Sequence, residues 1–484
     1  QSKCSEEALL TELAEKHFIL PADTDPGKWL EEEKALIAAR MERVSKFTIM
    51  TTTDCNAACP YCYEAGRGRV YMTGKTAEDV ADYILKTSED RAVLITWFGG
   101  EPLCNTKAVD IITKRLRDAG KRFTSDIISN GYLFDERTVR IAKNHWMLEK
   151  AQITLDGTEE IYNRTKAFVN AGGSPYRRVL DNIELLARNG IFVKIRLNVT
   201  KHNTDDLPEL AHELGTRFKG LQNISAYASP VISFSGHDDG GFTQAQRFTA
   251  LDAVRKIEEL LEEYGIYKQE LPDAVLNPFG CMAEDPDSVV INPLGSLGKC
   301  DNHSEEEQFG SIYSEEYDEE MLLSWKECLP EIEECRECFY RPECKRRTKC
   351  PFTFKECIQK DREYLYNYYV KAVSALYEKV KSVGKYKAEN IKLAGHVFRV
   401  EYRYDYFSSH CSEFFVEKVS EGNISGAAEA VIRITDEDID AEEQISDVEM
   451  GRDYYEALAV YRKICTYLID CNTDMFHGSA LLVD

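Results

Sequence analysis

Three cysteines lie within eight residues of this sequence. Cys55, Cys59 and Cys62 form the pattern C-x-x-x-C-x-x-C directly after the apolar run 47–50. Because iron–sulfur clusters are bound through Cys thiolates, three thiolates on one short loop can hold three corners of a four-iron cluster. No fourth cysteine is near in the sequence, so one iron would be open to a small molecule. The alternatives are a zinc site, which takes four ligands and usually paired C-x-x-C units, and disulfides.

The loop resembles the signature of the radical S-adenosylmethionine (SAM) enzymes, in which an aromatic residue, here Tyr61, precedes the last cysteine. The resemblance implies a [4Fe-4S] cluster whose open iron chelates the amino and carboxylate groups of SAM. Electron transfer from the cluster then cleaves SAM to a 5′-deoxyadenosyl radical that abstracts hydrogen; such cofactors carry the radical chemistry and the protein orients them. By the same resemblance Tyr61 packs near the adenine, the alternative being an aromatic residue that only shields the cluster.

A second motif, Gly99-Gly100-Glu101-Pro102, follows Trp97-Phe98 some forty residues later. Alone it would be an ordinary turn. In the family that it resembles, the glycines let the backbone approach the methionine end of SAM, which glycine permits because it lacks Cβ. The carboxylate corresponding to Glu101 meets the ammonium of SAM.

Ser129, Asn130 and Asp156 match positions that, in the resemblance, contribute hydrogen bonds around the SAM ribose and the mouth of the active site. The structural alternative is turn formation, since Asn-Gly and Asp-Gly are strong turn formers. The basic residue that the family carries after this aspartate corresponds to either Arg164 or Lys166, and the sequence does not choose between them.

Short β-rich runs alternate with amphipathic helices from residue 46 to about 229. This alternation predicts a parallel sheet built from βαβ units, and six units predict an α/β fold with an open, partial (β/α)6 TIM-like barrel. Each motif falls at a predicted strand end, where barrels of this type place their active sites. The predicted strands are 47–52, 92–97, 123–129, 150–155, 192–199 and 223–228, with helices that include 77–87, 109–119, 178–189 and 244–265.

The composition restricts the partners. Net charge is −24, from 84 acidic and 60 basic residues, which argues against nucleic acid because phosphate backbones need a basic protein face. No run of about 18 apolar residues indicates a membrane span. The first ten residues do not resemble a signal peptide. Sixteen cysteines without an export signal indicate metal binding and a reducing cytoplasmic compartment.

Residues 276–385 hold eight more cysteines and resemble the SPASM extension of peptide-modifying radical SAM enzymes. The resemblance implies two auxiliary [4Fe-4S] clusters. Zinc is the alternative for the later cysteines, because C-x-x-C pairs are typical zinc ligands. The first cluster would be held by Cys281, Cys300 and Cys350, and the second by Cys335, Cys338, Cys344 and Cys357.

Two positions in this region depart from a simple assignment. Cys350 lies two residues beyond the expected position, after the basic insertion 345–349. That insertion is either a solvated loop, which we favour, or a docking site for an acidic peptide. Cys328 either completes the first cluster or is a small core residue. The remaining cysteines follow no ligand spacing and are expected to be structural: Cys4, Cys104, Cys411, Cys465 and Cys471.

The sequence flanking these two regions is less informative. Residues 1–45 predict two helices, either a plain cap or part of a leader-peptide recognition module. Residues 386–484 predict an α+β segment with strands at 391–402, 414–416 and 430–434 and a helix at 454–470, preceded by a tail helix at 358–381. The stretch 474–484 resembles the strand that enters the phosphate-binding loop of HPr-kinase-like domains, but no G-x-x-x-x-G-K-[ST] occurs in the chain.

The sequence therefore predicts a radical SAM core at 46–275, a SPASM domain at 276–385 and a C-terminal α+β segment. The predicted function is maturation of a ribosomally synthesised precursor peptide, with a thioether crosslink as the expected product and flavodoxin or ferredoxin as the reductant. A sulfatase-maturing enzyme is the alternative enzyme. A peptide-binding or electron-transfer protein that does not cleave SAM is the alternative of another class. An exposed cluster with an open iron predicts an anaerobic setting.

Overall fold

The computed structural model forms two compact units, residues 1–365 and 366–484. Most of the first unit between residues 44 and 327 is described, and the second unit is described in shorter segments. The described residues are 24–25, 28–29, 32–36, 44–66, 68–233, 239–266, 279, 281–302, 307–327, 330, 348–350, 370, 374, 387–393, 396–404, 406–407, 430–445, 451–470, 473–476 and 479–482.

Six parallel strands form the centre of the first unit, in the order β6-β5-β4-β3-β2-β1. A helix separates each strand from the next, so every connection is a βαβ crossover, as parallel strands require. The strands are β1 (Lys46–Thr52), β2 (Val93–Gly99), β3 (Phe123–Ser129), β4 (Leu148–Leu155), β5 (Phe192–Val199) and β6 (Ile224–Pro230).

The helices cover the outer face of this sheet. Thr73, Asp135 and Ser174 precede α1, α3 and α5. Each of these side chains accepts the backbone N–H of the third residue of its helix, a typical N-cap contact. The helices are α1 (Gly74–Ser88), α2 (Thr106–Asp118), α3 (Glu136–Asn144), α4 (Glu159–Lys166), α5 (Pro175–Arg188), α6 (Leu207–Arg217) and α7 (Arg247–Glu263).

Alternate residues of each strand divide the sheet into two faces. On β5, Val193, Ile195 and Leu197 are fully buried in the core under the helices, while Lys194 and Arg196 between them are only half-buried. The period of two places these side chains on the opposite, inner face. The predicted partial (β/α)6 barrel is confirmed: a parallel α/β sheet that does not close within the described residues.

The sheet continues beyond the six predicted strands. β7 (Ser288–Ile291) pairs parallel with β1, and β8 (Ser296–Gly298) and β9 (Gly310–Ser311) extend it antiparallel. Sequence analysis missed these strands because each has four residues or fewer. A short helix, α8 (Glu319–Ser324), follows.

A buried carboxylate holds together the strand ends where β7 joins β1. Asp287 accepts hydrogen bonds from the backbone and hydroxyl of Ser45, at 2.7 and 2.8 Å. Arg91 binds the same carboxylate with two N–H groups, at 2.8 and 3.0 Å. This bidentate pairing joins the residues before β1, β2 and β7.

The second unit contains a three-stranded sheet against two helices. β10 (Lys387–Leu393) and β11 (His396–Tyr402) are antiparallel, so the single strand predicted over 391–402 is wrong; Gly395 lies between the two strands and is a typical turn residue. The segment's other described elements are β12 (Ala430–Arg433), α9 (Asp436–Ile445), α10 (Arg452–Asp470), β13 (Thr473–Phe476) and β14 (Ser479–Leu482).

Several predicted elements lie outside the described residues, in whole or for the most part. These are the N-terminal helices, the tail helix at 358–381 and the strand at 414–416. In the part of the chain that the structure describes, no helix combines the length and apolar character of a membrane span.

Candidate functional site

Four loops meet at the carboxyl ends of β1 to β4, and together they carry the residues that the sequence singled out. The cysteine loop follows β1, Gly100-Glu101-Pro102 follows β2, Asn130 follows β3 and Asp156 follows β4. Hydrogen bonds join the cysteine loop to each of the other three loops. The structure therefore brings the three cysteines of the loop and the residues of the other motifs into one site.

The two glycines of the second motif pack against the start of the cysteine loop. The N–H of Gly100 donates to Thr52 O at 3.0 Å, and that of Glu101 donates to Asp54 O at 2.9 Å. A Cβ on Gly99 would overlap the carbonyl oxygen of Thr52, and one on Gly100 would lie 2.7 Å from both Asp54 C and Thr53 O. These glycines are thus required, at the least, for close approach of two backbone segments of the protein itself.

Glu101 is fully buried and fastens β2 to β3. One carboxylate oxygen accepts the hydroxyl of Ser129 at 2.9 Å and the N–H of Leu103 at 3.2 Å, and the other accepts the N–H of Asn130 at 2.8 Å. Burial raises the pKa of this carboxyl to about 7, although these donors oppose the shift. The carboxylate has three protein donors, so the ammonium contact expected from the resemblance stays a prediction.

The hydroxyl of Tyr61 is held by three side chains on different elements. It donates to Asp156 and accepts from Lys166 Nζ at 3.2 Å and Asn198 Nδ2 at 2.9 Å. Asp156 and Lys166 themselves form a buried ion pair at 3.1 Å. These contacts attach the middle of the cysteine loop to the end of β4, to α4 and to β5.

Backbone contacts strengthen this attachment. The N–H of Ala58 donates to Lys166 O, and the N–H of Val169 donates to Asn56 O, each at 2.9 Å. Lys166 at the end of α4 thus contacts the loop through its carbonyl as well as its ammonium group. Asn203 holds the backbone of Asp156 by donating to Asp156 O at 2.7 Å.

The three thiols of the loop are free, half-buried and electrostatically coupled. Burial raises the pKa of Cys55 to about 12, with Glu101 and Cys59 adding to the shift. The pKa values of Cys59 and Cys62 are raised mainly by burial too, and the Lys166 charge opposes the shift at both. A thiolate is the form that binds metal, so a metal cluster would compensate for the cost of ionising three crowded thiols.

The surroundings of the thiols fit a bound group. Asn56 Nδ2 is buried without a hydrogen-bond partner among the described residues, and Asn130 Nδ2 lies 3.9 Å from Cys55 Sγ. No three His, Cys, Asp or Glu side chains in the described ranges are grouped as one metal ion would need them. A four-iron cluster is larger than a single ion and spaces its thiolates further apart.

Comparison with known proteins identifies the domain. Residues 49–214 match the model of the radical SAM superfamily, and this range contains all four motif loops. The chain contains a radical SAM domain.

Two curated relatives match parts of the chain. A serine-type anaerobic sulfatase-maturating enzyme of Bacteroides thetaiotaomicron is 28% identical over 151 residues, which cover 28% of this chain and 35% of the relative. An uncharacterized protein of Methanocaldococcus jannaschii is 30% identical over 113 residues, 23% of this chain and 38% of the relative. The chain thus spans little more than a third of the length of either relative.

A solved structure shares the fold over a longer range. Native anSMEcpe with bound AdoMet and the Kp18Cys peptide superimposes with a TM-score of 0.54 at 15% identity, covering 69% of this chain and 99% of that one. At this identity the likeness concerns the fold alone.

The structure places Lys166 and Arg164 in different surroundings. Lys166 is buried and pairs with Asp156, whereas Arg164 is exposed and lies 3.8 Å from Glu160 on the surface of α4. Although burial alone would lower it, the pKa of Lys166 is held well above its usual value by Asp156, so this side chain is a cation in the site.

Sequence reasoning missed Asn198 and Asn203. Both contact Asp156, at 3.1 Å through Asn198 Nδ2 and 2.7 Å through Asn203 Nδ2. The available signal was an amide residue at the carboxyl end of the fifth predicted strand, followed by another five residues later, in the position where barrels place site residues.

The cysteines outside the radical SAM domain are described only in part. Cys281, Cys300 and Cys350 are half-buried. Burial, followed by Asp301, raises the pKa of Cys300 to about 12, and the other two thiols contribute. Cys328, Cys335, Cys338, Cys344 and Cys357 lie outside the described residues.

The segment that carries the displaced Cys350 is attached to α8. Thr348 N–H donates to Glu327 O at 3.0 Å, and the ammonium group of Lys349 lies 5.5 Å from the Trp325 ring centre. Thr348 and Lys349, at the end of the basic insertion, thus lie against the residues that follow α8. The two auxiliary clusters stay a prediction.

Proposed function

We propose that the chain is a radical SAM enzyme that installs a crosslink, specifically a thioether, in a ribosomally synthesised precursor peptide. The observation that carries the proposal is the convergence of three free thiols, a buried cation and three further loops at one end of the parallel sheet. When bound, a [4Fe-4S] cluster and SAM would supply a hydrogen-abstracting radical at this place.

The protein's own residues hold this site in position. Cys55, Cys59 and Cys62 would hold the cluster, and Tyr61 fixes their loop to Asp156 and Lys166. Glu101 joins the second motif to Ser129 and Asn130. Lys166 offers the only buried ammonium group among the described residues of the site, which suits the carboxylate of SAM.

The peptide substrate is supported by relatives rather than by a contact in this chain. Structures of anSMEcpe hold the Cp18Cys or Kp18Cys peptide together with AdoMet, and their fold covers 69% of this chain. We further propose two auxiliary clusters, held by Cys281, Cys300 and Cys350 and by Cys335, Cys338, Cys344 and Cys357, with Cys328 as an additional thiol. A flavodoxin or ferredoxin would supply electrons.

A second candidate function is sulfatase maturation, which the similarity to the serine-type enzyme favours. It uses the same site on a different peptide. A protein that binds peptide or carries electrons without cleaving SAM is the third candidate, and the buried cation beside the thiols counts against it.

The test is anaerobic reconstitution with iron and sulfide, reduction, and addition of SAM with candidate peptides. Mass spectrometry measures 5′-deoxyadenosine and any mass change in the peptide, and iron is counted in parallel. We expect 5′-deoxyadenosine and about twelve irons per chain, corresponding to three four-iron clusters. A Cys55→Ala/Cys59→Ala/Cys62→Ala variant should produce none and hold about four fewer irons. A fully loaded wild type that releases no 5′-deoxyadenosine would contradict the proposal.

A further inference from the structure

The inner face of the barrel carries a charge pattern that differs from that of the whole chain. On β3 to β5 its charged residues are Asp126, Lys150, Lys194 and Arg196, three cations and one carboxylate, in a protein with net charge −24. Asp126 stands opposite Lys150 in the β3–β4 register, and the Lys150 charge lowers the pKa that burial raises in Asp126. The remaining positive charge lies on β5.

The two cations on β5 differ in their surroundings. The ammonium group of Lys194 lies 4.9 Å from the centre of the Tyr227 ring, whose hydroxyl donates to Gln152 at 3.0 Å. Arg196, two residues nearer the site, makes one hydrogen bond, from Nε to Asn198 Oδ1 at 3.1 Å. No carboxylate among the described residues lies within ion-pair distance of Arg196.

Arg196 is therefore oriented by the site but leaves most of its donors available. A guanidinium group has five N–H donors, and only the Nε–H has a partner in the described chain. Asn198, which accepts it, also donates to Asp156 and Tyr61. Two residues of strand place the Arg196 backbone about 7 Å below Asn198, deeper in the barrel than the residues that fix the cysteine loop.

We infer that Arg196 binds a carboxylate group of the substrate, an Asp or Glu side chain close to the modified residue, and so selects acidic peptides. The inference rests on the proposed function. A half-buried cation that has no counter-ion among the described residues favours an anionic ligand, and the planar guanidinium fork matches a carboxylate with two parallel hydrogen bonds. Lys166, paired with Asp156, lies at the cysteine loop, whereas Arg196 lies on the inner face of the barrel.

The test uses pairs of short synthetic peptides with one central Cys, identical except that one position near the Cys is Glu or Gln. Glu and Gln have nearly the same shape, so the comparison isolates charge. Peptide-stimulated 5′-deoxyadenosine formation and peptide mass change give kcat/KM for each member. For the best pair we expect the wild type to prefer Glu by about tenfold or more, the size of a charge-assisted hydrogen bond.

Three variants give this test its controls. Arg196→Met should remove the Glu preference by lowering kcat/KM for the Glu peptide to the value for the Gln peptide. Arg196→Glu should favour a Lys-containing peptide over the Glu peptide. Arg164→Met, which removes an exposed arginine of α4, should keep the wild-type preference.

The outcomes separate the inference from the function on which it rests. Equal turnover of Glu and Gln peptides by the wild type would overturn the inference alone. A raised KM for SAM in Arg196→Met without peptide would also overturn it, because the carboxylate recognised would then belong to SAM. If the wild type releases 5′-deoxyadenosine but modifies no peptide, the proposed function fails and the inference fails with it.

Discussion

Replacing Gly100 by Ala should detach the cysteine loop from the second motif. The new methyl group would meet backbone atoms of Thr53 and Asp54, which cannot rotate away as a side chain could. No positive φ is involved at this glycine, so the effect is purely steric. Either the end of β2 or the start of the cysteine loop must shift.

The size of the effect follows from the contacts that are disturbed. Overpacking by one methyl group costs about 1–3 kcal/mol. The shift also stretches the hydrogen bonds from Gly100 N to Thr52 O and from Glu101 N to Asp54 O, each of which contributes about 1 kcal/mol. We therefore expect Gly100→Ala to lower the free energy of unfolding of the first unit by about 2–5 kcal/mol.

Urea unfolding followed by tryptophan fluorescence would measure this loss. All four tryptophans, Trp29, Trp97, Trp146 and Trp325, lie in the first unit, so the signal excludes residues 366–484. Gly68→Ala is the matched control, because a Cβ at Gly68 meets no atom within 4 Å, and it should change stability by less than about 0.5 kcal/mol.

The same variants should differ in iron content. Gly100→Ala should lose up to about four irons, those of the cluster held by Cys55, Cys59 and Cys62, while Gly68→Ala keeps them. If Gly100→Ala unfolds at the wild-type urea concentration and binds the full amount of iron, the two backbones do not need the close approach that the structure shows.

Three further predictions concern the residues around the loop. Tyr61→Phe keeps the ring but removes the hydroxyl that bonds Asp156, Lys166 and Asn198. The free energy of unfolding, measured in urea, should fall by about 1–3 kcal/mol. Unchanged stability and iron content would contradict the role of this hydroxyl in holding the cysteine loop. Lys166→Met leaves the Asp156 charge buried without its partner and should lower the free energy of unfolding by about 3–5 kcal/mol. The double variant Asp156→Asn/Lys166→Met should recover most of this loss. An equal loss in both variants would exclude the uncompensated charge as the cause. Burial raises the pKa of Glu101 from 4.5 to about 7, so the folded protein binds a proton that the unfolded chain releases between these pH values. The resulting contribution to stability, about 3 kcal/mol, should be complete below pH 4.5 and disappear as pH rises through 7. Glu101→Gln should flatten that part of the stability–pH curve, and a slope that persists in this variant would assign the effect to another group.

The positions of the site loops could be predicted because strand ends and turn residues leave a local signal. The predicted strands 123–129 and 192–199 coincide with β3 and β5, since each is bounded by polar or glycine-containing turns. A parallel sheet then places every strand end on one edge without further information. That is why Cys55, Glu101, Asn130 and Asp156 could be expected to meet.

The contacts within the site could not be predicted in the same way. The choice of Lys166 over Arg164 depends on which side of α4 faces the sheet, and that is decided by tertiary packing. The pairing of β7 with β1 joins residues more than 230 positions apart, and a strand of four residues carries no local signal of its partner. Sequence spacing could suggest that Glu101 binds a ligand, but the three protein donors around it appear only in the folded chain.

The pairing of β7 with β1 also constrains synthesis of the protein on the ribosome. β1, which leads directly into the cysteine loop, lacks one neighbour until Ser288–Ile291 has left the exit tunnel. At about 5–20 residues per second, the intervening chain takes roughly 10–50 s to make. During that interval Ser45 and Arg91 lack the carboxylate of Asp287, and one side of β1 is open to solvent or to a chaperone. Insertion of the first cluster is therefore expected to follow completion of this strand pair, after release of most of the chain rather than as soon as its three cysteines emerge.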